Sequence, residues 1–105
     1  MTELIRLATV QMVSTPRVED NLVALERLVR GAVAEGAQLV VLPEFFPMIG
    51  ATDEARLAIR EAPNNGPLQD FLSGLSKALG IWLIGGSIPM AGSDSVRALN
   101  STLVF

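Results

Sequence analysis

Two short apolar runs with one amphipathic segment between them leave this chain few ways to fold. The first run, residues 4–13, carries Ile5, Leu7, Ala8, Val10, Met12 and Val13 around Arg6, Thr9 and Gln11, which predicts a strand buried on both faces. Ser14-Thr15-Pro16 then supplies a helix start, with a hydroxyl to cap it and a proline suited to the first turn, where its missing N–H costs nothing. Over residues 17–35, Val18, Leu22, Leu25, Val29, Ala32 and Val33 recur at helical spacing, while Glu19, Asp20, Glu26, Arg27 and Arg30 fall mostly on the other side. Gly36 ends that helix, and Gln38-Leu39-Val40-Val41-Leu42 forms a second buried strand closed by Pro43. Strand, helix and strand make a βαβ unit whose crossover sets the two strands parallel, so the fold class is α/β.

The remainder repeats the theme. Residues 45–51 read as a loop, and residues 53–61 as a short helix capped by Thr52. Asn64-Asn65-Gly66-Pro67 is a turn, after which Leu68, Phe71, Leu72, Leu75 and Leu79 predict a second long helix ended by Gly80. Ile81-Trp82-Leu83-Ile84 is a third buried strand running into Gly85-Gly86, and residues 98–105 begin a fourth. A chain of 105 residues holds one domain at most. Its last residues, Asn100-Ser101-Thr102-Leu103-Val104-Phe105, stop inside a strand pattern, which predicts that residues 1–105 are a fragment of a longer protein.

Composition narrows the chemistry. With no Cys and no His, these residues hold no thiol nucleophile, no disulfide, no thiolate or imidazole metal site and no histidine base. A net charge of -3, with eight scattered basic residues, gives no footprint for nucleic acid. No run approaches the ~18 apolar residues of a membrane span, and the opening residues have no leader pattern, so the expected location is the cytoplasm. Gly80, Gly85, Gly86 and Gly92 do not form a phosphate loop, and no cofactor is expected; Gly85 and Gly86 read as backbone freedom where a strand leaves the sheet.

Ligands of open parallel sheets bind beyond the carboxyl ends of the strands, and Glu44 stands at such an end. Phe45, Phe46 and Met48 beside it would limit hydration, the condition that suits a carboxylate to general-base work. Phe46 is the candidate substrate contact. Position alone also allows Glu44 to be a solvated loop residue, as most glutamates are. Ser87 has no base to activate it and reads as a loop hydroxyl, while Lys77 reads as a solvated helix lysine. The acidic pairs Glu19-Asp20 and Asp53-Glu54 sit near helix starts, where negative charge is favourable, and lack the spacing of a cation loop; no metal is expected.

In order along the chain, Ala8-Thr9-Val10-Gln11-Met12, Asp20-Asn21-Leu22, the segment from Gly36 to Glu44, Gly66-Pro67, the segment from Gly80 to Pro89, and Asn100-Ser101-Thr102 resemble the opening of nitrilase-superfamily carbon-nitrogen hydrolases. The resemblance implies an αββα sandwich of which this chain is the N-terminal part. It also implies a Glu-Lys-Cys triad in which cysteine attacks an amide or nitrile carbon, glutamate manages protons and lysine stabilises the tetrahedral species. Glu44 matches the glutamate as general base; the lysine and cysteine would lie beyond Phe105. Leu42-Pro43-Glu44-Phe45-Phe46, Met48-Ile49-Gly50 and Asp53 look most like the branch acting on deaminated glutathione and related ω-amides. A small amide or nitrile substrate and a homo-oligomeric full-length protein follow from the same resemblance, and the isolated chain is expected to be inactive. Two other readings stay open: a small non-catalytic α/β module binding an acidic metabolite, and a half-fold that serves only as an association partner.

Overall fold

The computed structural model describes residues 3–105; Met1 and Thr2, part of the opening segment scanned for a leader, lie outside them. The order of elements is β1 (Leu7–Thr9), α1 (Val18–Ala34), β2 (Leu39–Val41), α2 (Asp53–Ala58), α3 (Pro67–Leu79), β3 (Trp82–Ile84), β4 (Ile88–Ala91) and β5 (Ala98–Ser101). Strands β1, β2 and β3 form a parallel sheet in that order, with Ala8 opposite Val40 and Val40 opposite Leu83. The expected βαβ unit is therefore present and is followed by a second crossover through α2 and α3.

Side chains alternate across a strand, and one row is the foundation of the core. Val40 and Leu83 are fully buried, with Ala8 packed beside them, in a cluster with Leu25 and Val29 of α1 and Leu68, Leu72 and Leu75 of α3. Each such aliphatic side chain contributes about 1.5–3 kcal/mol on leaving water. The opposite row differs from expectation: Leu7 is 59% and Trp82 65% exposed. The sequence reads as strands buried twice over because both rows are apolar, but among the described residues helices cover one face only.

Helix ends follow their local chemistry. Helix α3 begins with Pro67 in its first turn and ends at Gly80, whose φ of 63° is the left-handed conformation that suits glycine. Thr52 caps α2 as expected, its hydroxyl accepting from Ala55 N at 3.1 Å. The hydroxyls before α1 act otherwise: the N-cap is Arg17, with no side-chain cap. Thr15 Oγ1 accepts from Arg17 N at 3.2 Å, and Ser14 turns away toward Phe46.

Strand β4 was hidden by Pro89. It pairs antiparallel with β5, Pro89 opposite Asn100, as a separate two-stranded sheet. On its other side Pro89 uses its carbonyl, accepting from Glu61 N at 3.2 Å, so the N–H it lacks is not called upon. The expected fourth strand over residues 98–105 is two pieces. After β5 the chain bends and runs back along β3, where Leu83 and Phe105 exchange both backbone hydrogen bonds at 2.9 Å.

Candidate active site

The loop after β2 is built around a tight turn at residues 44–47. Leu42 N still bonds Ile84 O at 3.0 Å, so the sheet extends one residue beyond β2 before Pro43 ends it. Phe45 takes φ 51°, a sparsely populated conformation for a residue with a large side chain, and the surroundings hold it there. Its N–H donates to Ser87 Oγ at 2.9 Å. Ser14 Oγ donates to Phe46 O at 2.7 Å, and Asn21 Nδ2 donates to Pro47 O at 2.8 Å. Three side chains from two distant stretches, residues 14–21 and Ser87, thus fix three consecutive residues of the turn.

Glu44, immediately before them, projects an exposed carboxylate, and Asn100 Nδ2 donates to its Oε1 at 3.0 Å. An open hollow of about 500 Å³ beside it is lined by Glu44, Phe45, Met48, Ile49 and Arg56. The poorly hydrated surroundings expected for Glu44 are therefore not provided by these residues. Phe46, the expected substrate contact, is fully buried in the helix-side core. The turn sends consecutive side chains to opposite sides, so Phe46 anchors the loop from beneath and Phe45 takes the place beside the hollow.

The other side chains singled out in the sequence sort simply. Ser87 is buried, and its hydroxyl is the acceptor that holds Phe45. Lys77 is exposed in the last turn of α3. Asp20 pairs with Arg17 at 3.2 Å, and Asp53 pairs with Arg56, both on helix surfaces. Among the described residues no group of three or more carboxylates, histidines or cysteines could hold a metal ion. The loop carrying Glu44 is braced from the β3 side as well. Gly86, with φ 56°, lies so close that a Cβ there would collide with Pro43 O, and Thr102 Oγ1 donates to Gly86 O at 2.6 Å.

Ser14, Asn21 and Asn100 went unrecognised as parts of this site. Asn21 and Asn100, with Ser87, stood in the ordered segments that carry the family resemblance, and that was their only signal.

This assembly has a known setting. The carbon-nitrogen hydrolase family model matches residues 6–105, and the chain belongs to that family. It is 38% identical over 100 residues to omega-amidase NIT2-B of Xenopus laevis, covering 95% of this chain and 35% of that protein. It is 37% identical over 92 residues to the deaminated glutathione amidase of Mus musculus, covering 88% of this chain and 28% of the relative. Among solved structures it resembles Saccharomyces cerevisiae Nit3, a member of branch 10 of the nitrilase superfamily. There the TM-score is 0.83 and the identity 30%, over 96% of this chain and 39% of the other. The fold also matches Caenorhabditis elegans NitFhit with a TM-score of 0.72 at 22% identity, over 96% of this chain and 26% of that one. The chain thus spans about a third of the length of the curated relatives it matches.

Proposed function

We propose that this chain supplies the glutamate of a Glu-Lys-Cys triad in a hydrolase of small ω-amides, with lysine and cysteine contributed by further residues of the domain. The observation that supports it best is Glu44: a carboxylate at the end of a central parallel strand, on a turn fixed residue by residue from two distant stretches of the chain. Rigid placement of this kind is what a proton-transferring group needs. In the reaction, Glu44 takes the proton of the cysteine thiol as sulfur attacks the amide carbon, and returns it to the departing ammonia. Water then releases the acid from the thioester, with Glu44 again taking a proton and giving it back to sulfur.

The omega-amidase and deaminated glutathione amidase relatives favour an ω-amide over a nitrile. The test joins this chain to the remaining part of the domain and follows ammonia release from a short dicarboxylic monoamide. Turnover is expected from the joined protein and not from the isolated chain, and Glu44→Gln in the joined protein should lower kcat about 100-fold or more. Full activity in Glu44→Gln, or turnover by the isolated chain, would sink the reading.

A further inference from the structure

The three brackets on residues 45–47 hold backbone; only one bond reaches the Glu44 carboxylate itself. Among the described residues that bond comes from Asn100 Nδ2, 3.0 Å from Oε1. We propose that Asn100 is a positioning residue for Glu44, binding Oε1 so that Oε2 is the oxygen left free to exchange protons with the reacting groups. The proposal rests on Glu44 being the base.

Three features of the geometry favour it. An amide NH2 offers donors and an ionised carboxylate only accepts, so the pairing has one polarity and cannot be reversed. The backbone of Asn100 is held from two sides: it lies opposite Pro89 in the β4–β5 pair, and two residues later Thr102 Oγ1 reaches Gly86 O at 2.6 Å. Gly86 in turn presses on Pro43, next to Glu44. A short closed circuit of chain therefore sets the distance between the two side chains, and little freedom is left to lose when the bond forms. Finally, both residues are exposed, and a hydrogen bond between exposed side chains adds little to folding stability. The pair is expected to matter for where the carboxylate points, not for whether the chain folds.

The test uses the joined, complete domain with Asn100→Ala, Asn100→Asp and Glu44→Gln, measuring kcat, KM and the urea midpoint of each. Asn100→Ala should lower kcat about 10- to 100-fold, the range for a misplaced reacting group, with KM and midpoint near wild type. Asn100→Asp, almost identical in shape, should be at least as impaired, because it replaces the donor with a second carboxylate facing the first. A role in packing alone would make Asn100→Asp the milder change. Wild-type kcat in Asn100→Asp, with Glu44→Gln inactive, overturns the proposal and leaves the base in place. A complete domain that hydrolyses no amide, or that works without Glu44, removes the reading of Glu44 and this proposal with it.

Discussion

A methyl group at Gly86 would collide with the backbone of Pro43, and the left-handed φ there adds its own cost for any side chain. Gly86→Ala is therefore expected to destabilise the chain by about 2–4 kcal/mol, since neither the clash nor the conformation can relax without moving the Glu44 turn. Urea unfolding measures it; an unchanged midpoint would mean the close approach is not needed. Glu61 is the other residue whose part is structural. Its buried carboxylate accepts from Leu68 N at 2.6 Å, Gln69 N at 3.1 Å and Gln69 Nε2 at 3.0 Å, closing the start of α3. A Cβ at Gly66 would overlap that carboxylate, which explains the glycine before Pro67. Glu61→Gln turns one acceptor into a donor facing donors and should cost about 1–3 kcal/mol in the same assay. The glycine pair was legible as backbone freedom, but the pressure of Gly86 on Pro43 was not, because these two meet only in the folded chain. Nor was the part of Glu61, because residues 53–61 read as one helix whereas α2 ends at Ala58.

At the level of elements, helices were legible to within a few residues, since the 3.6-residue period of their apolar face is set by the same packing that forms them. Strands were less so: residues 4–13 look like one long strand, yet β1 ends at Thr9 because ladder pairing, not apolarity, decides where a strand stops. Strand β4 was missed for the opposite reason, a proline at a position that needs only a carbonyl. Asn21 links two elements that the sequence leaves separate. Buried at the start of α1, it donates to Thr15 O at 2.7 Å and Pro47 O at 2.8 Å while accepting from Thr15 N at 2.8 Å. Asn21→Asp keeps the acceptor and loses both donations, and a loss of about 1–3 kcal/mol is expected. Amide hydrogen exchange should then quicken in the first turn of α1 and at residues 45–49 together; quickening of α1 alone would show that the two are not coupled.

For the whole molecule, the face bearing Leu7 and Trp82 is the main departure from what the apolar strands suggested. Val104, 61% exposed beside Ile84, adds to the uncovered apolar surface. Contiguous surface of this kind promotes association, so the isolated chain is expected to elute ahead of an 11.2 kDa monomer and to bind a hydrophobic dye. Joined to a covering sheet it should no longer bind the dye, and Trp82 emission should shift to the blue. A monomeric, dye-negative isolated chain would contradict this.

The return of residues 102–105 along β3 decides which strands an associating copy can touch. That segment occupies the outer side of β3, while among the described residues β1 has a strand neighbour on one side only. The sheet thus has β1 itself as one border and the short segment 102–105 as the other, each with outward peptide groups. An incoming strand can reach β1 directly, whereas on the other side it would have to pair with residues 102–105 and not with β3 itself.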